Sequence, residues 1–293
     1  MEKHKNHTDG RTQVCGLIGN PVAHTLSPVI HNNLAEMFGH NLIYVPFPVE
    51  EDLEKAVEGA YALHILGLNI TVPYKTKVMK YLADTEEMAE KIGAVNTLVR
   101  VEGGYKGYNT DMPGLYRAMK DDGIELTDEY VLIIGAGGVA RAVAVLAAEK
   151  AAKKICILNR TIERAECIVS EIKEMIPQAD IEALDLSSYG KLEGDNWIVI
   201  QATSVGMFPQ NEDVVIEEAA FYKKLKAGYD LIFNPCETKF MKLAKEAGKP
   251  AYNGLKMLLY QGIIAYELWN DTVVTKEQAE TVFEAMKDEM KGR

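Results

Sequence analysis

Short apolar runs and longer amphipathic stretches alternate along the first part of the chain. Apolar runs at 14–18, 41–47 and 66–72 predict strands, and the stretches between them predict helices over 27–38 and 52–61. Strands that are separated by helical crossovers are typical of a mostly parallel sheet. The pattern therefore predicts an N-terminal α/β domain.

Local signals refine this first series. Ser27 and Pro28 stand where an N-cap and a first helical residue are expected, and Gly39 stands where a helix terminator is expected. Further on, apolar stretches at 94–101 and 105–108 flank a Glu-Gly-Gly turn. Such a turn between two strands predicts a β-hairpin that is added to the parallel sheet.

A second and more regular series begins after 111–114, which we interpret as a junction. Its predicted strands and helices are 130–134, 138–149, 155–158, 162–175, 197–201 and 231–233, followed by C-terminal helices over 255–269 and from Thr275, where Thr-Lys-Glu-Gln matches a capping box. The predicted fold class is α/β. It combines the N-terminal α/β domain with a Rossmann-like, doubly wound parallel-sheet domain, with a cleft between them.

Composition narrows the class of partner. The formal net charge over 293 residues is −11. An acidic chain repels phosphate backbones and anionic lipid surfaces, so neither nucleic acid nor a membrane is an expected partner. No apolar run approaches the roughly 20 residues of a membrane span. Residues 1–12 are too polar for a signal peptide, and they predict a frayed tail.

Cysteine usage points to a reducing compartment. Cys15, Cys156, Cys167 and Cys236 are scattered, and they form no Cys-x-x-Cys or Cys/His cluster. This spacing predicts no metal site. We expect a cytoplasmic protein with a small-molecule substrate, and a homodimer is compatible with these properties.

The strongest chemical signal is the run Gly135-Ala136-Gly137-Gly138-Val139-Ala140, which matches the pattern G-x-G-x-x-G/A. It follows the predicted strand at 131–134 and opens a helix, which is the context of a dinucleotide site. Gly135 would allow the tight turn, Gly137 the approach of a pyrophosphate, and Ala140 close helix–strand packing. The alternative is a glycine turn that binds nothing.

The end of the next strand predicts which dinucleotide binds. An NAD site places Asp or Glu there, but this chain has Asn159-Arg160-Thr161, followed by Arg164. Two guanidinium groups can hold a 2′-phosphate through charge-assisted, bidentate hydrogen bonds. The predicted cofactor is therefore NADP, unless both arginines are merely solvated.

Polar residues follow the strands of the first series. Thr25, Ser27, Thr71 and Lys75 should converge on one crevice, because ligands of parallel sheets bind beyond the carboxyl ends of the strands. With Asp111, these side chains suit a polyhydroxylated, anionic small molecule. Taken singly, each residue has an ordinary structural explanation, such as a helix cap or a solvated charge.

Together these motifs resemble the shikimate dehydrogenase family along nearly the whole chain. The matching segments are Gly19-Asn20-Pro21 with His24, Ser27-Pro28 and His31-Asn32; residues 69–75; Asn109-Thr110-Asp111; residues 135–140; Asn159-Arg160-Thr161 with Arg164; residues 202–207; and Asn253-Gly254-Leu255 with Tyr260-Gln261-Gly262. The resemblance implies a substrate-binding and catalytic domain over 1–111 and 255–293, and an NADP-binding Rossmann domain over 112–254.

The resemblance also implies residue roles. The substrate-binding residues would be Thr25, Ser27, Thr71, Lys75, Asn96, Asp111, Tyr229 and Gln261, with Lys75 and Asp111 as the catalytic pair. The cofactor-binding residues would be Gly135, Ala136, Gly137, Gly138, Val139, Ala140, Asn159, Arg160, Thr161, Arg164, Thr203, Ser204, Met207 and Gly254. The implied reaction is the reversible, NADPH-dependent reduction of 3-dehydroshikimate to shikimate in aromatic amino-acid biosynthesis.

Two positions depart from the family pattern, and rival functions remain. Thr25 stands where serine is commoner, and Gln201 stands where the family usually has asparagine, a change expected to have little effect on the chemistry. The nearest rival is a quinate/shikimate dehydrogenase with relaxed substrate and cofactor choice. Methylenetetrahydrofolate dehydrogenase is disfavoured by the Ser-Pro turn, and a non-catalytic NADP(H) sensor by the presence of both Lys75 and Asp111.

Overall fold

The computed structural model describes residues 8–192 and 194–291. The chain divides into two compact units, each built on a six-stranded sheet. The first boundary follows Gly114 and the second follows Met257. The domain boundaries that the sequence predicts, after residue 111 and after residue 254, fall three residues earlier in each case.

The first unit contains a mixed sheet with helices. In chain order its elements are β1 (Gln13–Gly19), α1 (Ser27–Phe38), β2 (Leu42–Pro48), α2 (Leu53–Ala62), β3 (Gly67–Ile70), β4 (Asp84–Thr85), α3 (Glu87–Ile92), β5 (Thr97–Val101) and β6 (Gly104–Tyr108). Helix α4 (Asp111–Asp121) begins in this unit and continues past the boundary after Gly114. The strand order is β2-β1-β3-β5-β6-β4. The first three strands are parallel, whereas β5 is antiparallel to β3 and β6. The pair β5–β6 confirms the predicted hairpin.

A buried tryptophan fixes the C-terminal part of the chain on this sheet. Trp269 crosses β3 at Gly67, where a Cβ atom would lie 2.0 Å from the indole nitrogen. That nitrogen donates a 2.9 Å hydrogen bond to the carbonyl of Leu98 on β5. Only glycine leaves room for the indole ring at this position. For this reason β3 has Gly67, and not an apolar side chain, opposite Trp269.

The second unit is a doubly wound parallel sheet. Its elements are β7 (Tyr130–Ile134), α5 (Gly138–Glu149), β8 (Lys154–Asn159), α6 (Ile162–Met175), β9 (Ile181–Asp185), β10 (Trp197–Gln201), α7 (Ala219–Lys223), β11 (Leu225–Asp230), α8 (Lys239–Glu246) and β12 (Ala251–Tyr252). The strand order is β12-β11-β10-β7-β8-β9, and every neighbouring pair is parallel. This order confirms the predicted Rossmann-like class. Trp197 is buried in β10, with its ring edge-on to Tyr130 at 5.3 Å.

The strand predicted at 231–233 is wrong, because β11 ends where that strand was expected to begin. The carboxylate of Asp230 accepts the backbone N–H of Ile232 at 3.0 Å, so a side chain replaces a neighbouring strand as the partner of that group. The apolar pattern of β11 itself is interrupted by Lys226 and Gly228. At Gly228 a Cβ would lie 2.9 Å from the Phe240 ring, so packing rather than strand propensity selects the residue.

Two helices, α9 (Leu255–Asn270) and α10 (Lys276–Lys291), complete the chain. The predicted capping box is confirmed, because the Thr275 N–H donates to Gln278 at 2.9 Å and the Gln278 N–H donates to Thr275 at 3.3 Å. Within residues 8–192 and 194–291, no helix combines the length and apolarity that a bilayer span requires.

The predicted frayed tail is held at its inner end. Asn41 donates to the Asp9 carboxylate at 2.9 Å, and the Thr12 hydroxyl donates to Asn41 at 2.8 Å. The prediction is therefore wrong for residues 9–12, where a distant asparagine satisfies the polar side chains. Residues 1–7 of that tail lie outside the described residues.

Candidate active site

A hydroxyl-bearing turn follows β1 and leads into α1. The Thr25 hydroxyl donates to Ser27 Oγ at 3.0 Å and accepts the Ser27 backbone N–H at 3.1 Å. Helix α1 begins at Ser27, and its N-cap is Leu26. The expectation from the sequence that Ser27 is the N-cap is therefore wrong. The two hydroxyls lie side by side at the amino end of a helix, where negative charge is favoured.

Lys75 and Asp111 form an ion pair, with Nζ 2.5 Å from Oδ2. Lys75 lies in the turn after β3, and Asp111 is the first residue of α4. Asn109 caps this helix, because its side-chain oxygen accepts the N–H groups of Asp111 and Met112 at 3.1 and 3.3 Å. The Lys75 and Asp111 side chains are 33% and 17% exposed, so the pair is held in place yet open to a small molecule.

The start of α4 falls on the segment that the sequence indicated as a junction. Pro113 is the third residue of α4. Proline has no backbone N–H, and this is tolerated because the N–H groups in the first turn of a helix have no acceptor within the helix. Gly114 is required by packing, since its Cβ would lie 2.6 Å from the Gln261 nitrogen. Two residues that usually break helices therefore begin one here, and they fix the position of Asp111.

Asn96 lies at the centre of a buried polar network. Its side-chain oxygen accepts the Thr110 N–H at 2.7 Å and the Thr97 hydroxyl at 3.1 Å. Its amide nitrogen lies 3.5 Å from Gln261 Oε1. The first unit thus brings Asn96 and Gln261 together and attaches Asn96 to the residue before Asp111.

Two other predicted substrate residues have different surroundings. Thr71 follows β3, where its N–H donates to the Ile18 carbonyl at 2.9 Å and its methyl group faces Gly19. Tyr229 belongs to the second unit, where it is fully buried in β11 and stacks on Tyr252 at 6.1 Å. The contact of Tyr229 with a substrate stays a prediction.

The glycine turn after β7 has the geometry of a dinucleotide site. Gly135 has φ +114°, and its Cβ would lie 2.9 Å from the Thr203 methyl group, so no other residue fits. A Cβ on Gly137 or Gly138 would meet nothing within 4 Å. The backbone is open at the amino end of α5, where the N–H groups and the helix dipole attract a pyrophosphate. Ala140 is fully buried, as close helix–strand packing requires.

A cavity of about 610 Å³ adjoins this turn. Its lining residues are Ile134, Gly135, Ala136, Gly137, Leu158, Asn159, Arg160, Arg164, Leu186, Ala202, Thr203, Ser204, Val205, Val214 and Val215. Among the described residues, neither Arg160 nor Arg164 has a carboxylate partner, so both are available to an anion. The turn, the cavity and the two cations together fit NADP.

The remaining predicted cofactor residues are not among those that line this cavity. Thr161 accepts from the Asn159 amide at 2.8 Å and so shapes the strand end. Val139 and Met207 are about half exposed. Gly254 is required by packing, since its Cβ would lie 2.3 Å from the Leu231 carbonyl. The predicted place of Met207 and Gly254 at the nicotinamide stays a prediction.

Gln201 was expected from the sequence to have little effect on the chemistry. It is buried at the end of β10, and its side-chain oxygen accepts the Thr203 N–H at 2.6 Å. Its amide nitrogen donates to the carbonyls of Thr203 and Val205 at 3.4 and 3.1 Å. The glutamine therefore shapes the loop that forms one wall of the cavity. An amide at the end of a buried strand was the signal that could have revealed this role.

Asp230 is a fully buried carboxyl group at the end of β11. Its partners are the Thr238 hydroxyl, which donates at 2.6 Å, and the Ile232 N–H at 3.0 Å. Burial raises the pKa of Asp230 to about 6, and the two hydrogen bonds oppose this shift. Because the pKa is raised on folding, the associated stability is complete below pH 3.8 and is lost as the pH rises through about 6.

We expect Asp230→Asn to flatten the pH dependence of stability. The variant is neutral at every pH, so it should abolish a fall of about 2 kcal/mol in the free energy of unfolding between about pH 4 and about pH 7. Urea titrations at both pH values measure this. Asp185→Asn is the control, because hydrogen bonding by Ser187 lowers the pKa of that carboxyl and its contribution is lost on acidification instead. Equal slopes for Asp230→Asn and the unmodified protein would contradict the expectation.

Comparisons with known proteins identify the family. Residues 17–98 match the model described as the shikimate dehydrogenase substrate binding domain, and residues 117–227 match the model described as shikimate / quinate 5-dehydrogenase. The NADP(+)-dependent shikimate dehydrogenase of Alkaliphilus oremlandii is 40% identical over 266 residues, which cover 90% of this chain and 93% of that protein. The chain belongs to the shikimate dehydrogenase family.

Solved structures of the shikimate dehydrogenase family share the whole fold. A shikimate dehydrogenase in complex with NADP⁺ superposes with a TM-score of 0.86 at 37% identity, covering 97% of both chains. The Listeria monocytogenes shikimate 5-dehydrogenase, in complex with shikimate and NAD, gives a TM-score of 0.87 at 32% identity and covers 94% of this chain and 97% of that one. The two family models include Lys75 and the arginine pair, whereas Asp111 and Gln261 lie outside both matched ranges.

Proposed function

We propose that this protein catalyses the reversible, NADPH-dependent reduction of 3-dehydroshikimate to shikimate, a step of aromatic amino-acid biosynthesis. The observation that carries the proposal is the Lys75–Asp111 ion pair, held at 2.5 Å in the unit that also contains the hydroxyl turn and the Asn96–Gln261 pair. Membership of the shikimate dehydrogenase family supports it.

The ammonium group of Lys75 performs the proton chemistry. Bound NADPH supplies the hydride. As the substrate carbonyl is reduced, its oxygen acquires negative charge, which Lys75 stabilises before it donates a proton to that oxygen. The Asp111 carboxylate, fixed by the capped start of α4, accepts a hydrogen bond from Lys75 and holds the lysine side chain in position. In the direction of oxidation the same amine accepts the hydroxyl proton.

The substrate is recognised by neutral donors as well as by this pair. Thr25 and Ser27 would bind its carboxylate through hydroxyl groups at the amino end of α1. Asn96, Gln261 and Thr71 would bind the ring hydroxyls. Such a site rejects analogues that lack a hydroxyl, because a buried amide is then left without a partner.

NADP is the proposed cofactor of the second unit. The open amino end of α5 would hold the pyrophosphate, and Arg160 and Arg164 would hold the 2′-phosphate. Family members that are named as NADP(+)-dependent support this choice. The cytoplasmic location and the homodimer expected from the sequence stay predictions.

A quinate/shikimate dehydrogenase with relaxed specificity is the second candidate, since the family model for 117–227 names both substrates. Initial rates with shikimate and quinate, each with NADP⁺ and NAD⁺, separate the two. We expect kcat/KM to be at least tenfold higher for shikimate with NADP⁺ than for any other combination.

The same rate experiment tests the rival functions directly. Comparable rates with quinate or with NAD⁺ would favour the relaxed enzyme. NADPH binding, followed by the change in cofactor fluorescence, shows that a preparation is folded. Binding without turnover of either acid would indicate a non-catalytic NADP(H) sensor.

A further inference from the structure

A buried threonine lies behind the candidate substrate residues of the first unit. Thr97 is the first residue of β5 and is fully buried, so it cannot reach a ligand itself. Asn69 of β3 stands directly opposite Thr97 in an antiparallel pair of strands, and its amide donates to the Thr97 hydroxyl at 3.1 Å. That hydroxyl lies 3.1 Å from Asn96 Oδ1 and 3.0 Å from the Thr110 hydroxyl. Thr97 therefore joins β3 to Asn96 and to the residue before Asp111.

Backbone groups settle the orientation of each amide in this network. The Thr110 N–H can only donate and lies 2.7 Å from Asn96 Oδ1, so this atom is the amide oxygen. The carbonyl of Asn96 can only accept and lies 3.3 Å from Asn69 Nδ2, so this atom is the amide nitrogen. Thr97 consequently accepts from Asn69, and its own proton is left for Asn96 or Thr110. Hydrogen bonds therefore run from Asn69 through Thr97 and not in the reverse direction.

The amide oxygen of Asn96 is fully used inside the protein. It accepts the Thr110 N–H, and the hydroxyl oxygens of Thr110 and Thr97 both lie 3.1 Å away. Whichever of its partners each hydroxyl proton faces, at least one of the two protons joins the N–H at this oxygen, and two donors fill its two lone pairs. Asn96 can therefore offer a ligand only the N–H groups of Nδ2.

The Asn96 nitrogen faces an acceptor. Gln261 Nε2 donates to the Leu258 carbonyl at 2.8 Å, which leaves Gln261 Oε1 on the side of Asn96 Nδ2, 3.5 Å away. This distance is long for a hydrogen bond, so a ligand oxygen can replace the contact at little cost. Asn96 and Gln261 are 2% and 8% exposed, so a hydroxyl group that reaches them has lost its water. An amide that is turned the wrong way then leaves a buried group without a partner, which weakens binding.

We propose that Thr97 is a positioning residue that holds Asn96 so that its amide nitrogen, and not its oxygen, meets one ring hydroxyl of the substrate. The inference rests on the proposed function, in which Asn96 binds a ring hydroxyl. Without the Thr97 hydroxyl, Asn96 Oδ1 is held by Thr110 alone, and the Asn96 side chain loses its connection to β3. Thr110 belongs to the segment that leads into α4, so that segment then positions the amide instead of the sheet.

Thr97→Val tests this, because valine has the shape of threonine and no hydroxyl. We expect the KM for shikimate to rise about five- to tenfold, which corresponds to the loss of one buried hydrogen bond. The kcat and the KM for NADP⁺ should stay within about threefold of their original values. Thr97→Ser keeps the hydroxyl and should restore the KM to within about twofold. KM does not depend on the fraction of a preparation that is folded, and Thr97→Ala removes the same hydroxyl if valine is not accommodated.

Two analogues of shikimate, each lacking one of the two ring hydroxyls that do not react, provide a readout that a general loss of stability does not change. With the analogue that lacks the hydroxyl bound by Asn96, Thr97→Val and the unmodified enzyme should have KM values within about twofold. With the other analogue the five- to tenfold difference should remain. Asn96→Ala should lose its effect with the same analogue as Thr97→Val. An equal effect of Thr97→Val with both analogues, or a mismatch between the two variants, would overturn the proposal.

Tyr105→Phe is the control for the loss of a buried hydroxyl. Tyr105 is 1% exposed in the same sheet and donates a 2.8 Å hydrogen bond to the Ile65 carbonyl. We expect its KM for shikimate to stay within about twofold of the original value. A rise equal to that of Thr97→Val would show that a general loosening of the sheet is enough, and the proposal would be wrong. A Thr97→Ser enzyme that binds no better than Thr97→Val would contradict it as well.

Calorimetric binding of shikimate separates this inference from the proposed function. If the unmodified protein binds shikimate but does not oxidise it, the proposed function fails, and the dissociation constants of the Thr97 variants still test the role of Thr97. If it oxidises shikimate and Thr97→Val binds shikimate equally tightly, only the role of Thr97 is overturned. If it neither binds nor oxidises shikimate, both proposals are overturned.

Discussion

Lys75→Met should lower kcat for shikimate oxidation by about 100- to 10,000-fold, while the KM for shikimate changes by less than about threefold. The ammonium group interacts most strongly with the oxygen when that oxygen carries charge, so its loss acts on the transition state more than on the bound substrate. Initial-rate kinetics at saturating NADP⁺ measure both constants.

Lys77→Met is the matched control for this variant. It removes the same charge two residues further along the chain, where the side chain is exposed. We expect it to keep near-original kinetics. Asp111→Asn keeps the shape of the Lys75 partner and removes its charge. Its kcat should lie between those of Lys75→Met and Lys77→Met. A Lys75→Met enzyme with kcat within threefold of the original would exclude this lysine from the proton chemistry.

Arg160→Ala and Arg164→Ala should each raise the KM for NADP⁺ by about 10- to 100-fold and leave the KM for NAD⁺ nearly unchanged. Each guanidinium would contribute a charge-assisted hydrogen bond to the 2′-phosphate, and such bonds are worth about 1.5–3 kcal/mol. NAD⁺ lacks that phosphate and so loses nothing. The double variant should show little preference between the two cofactors.

A control on α6, the helix that carries Arg164, separates this contact from a general charge effect. Lys173→Ala removes one positive charge from the exposed C-terminal end of α6, outside the cavity. We expect its KM values for both cofactors to stay within about twofold. An equal loss of affinity for NADP⁺ and NAD⁺ in the arginine variants would contradict recognition of the 2′-phosphate.

The cofactor-binding part of the candidate site could be predicted from the sequence because its elements are contiguous in the chain. The strand, the glycine turn and the helix follow one another between Tyr130 and Glu149, so one local pattern identifies all three. The arginines follow the end of the next strand, where the choice of dinucleotide is made. Physical reasoning from a single segment is enough when the groups that meet in space are neighbours in the sequence.

The substrate-binding and catalytic residues could not be brought together by reasoning from one segment of the sequence. Asn96 and Gln261 approach within 3.5 Å but are 165 residues apart, and the Lys75–Asp111 pair spans 36 residues. Family resemblance selected these residues, and the geometry then related them. The buried hydrogen bond from Tyr44 to Asn69 likewise joins two strands across 25 residues, so no local pattern indicates it.

Packing also overrode local propensity in two elements. Pro113 and Gly114 indicated a linker, yet they lie in the first turns of α4, because the glycine makes room for Gln261. Gly228 weakened the pattern of β11 for a similar reason, since the ring of Phe240 occupies the space of a side chain. In both cases a contact distant in sequence selects the residue, and no local rule contains that information.

The two tryptophans of the chain are divided between the units, with Trp269 against Gly67 in the first and Trp197 in β10 of the second. Both indoles are buried. Each unit therefore carries its own intrinsic fluorophore. When the excitation wavelength selects indole over the tyrosines, a chain with Trp197 replaced by phenylalanine emits only from the first unit, and one with Trp269 replaced emits only from the second. Emission spectra of these two chains can record the melting of each half separately within one polypeptide.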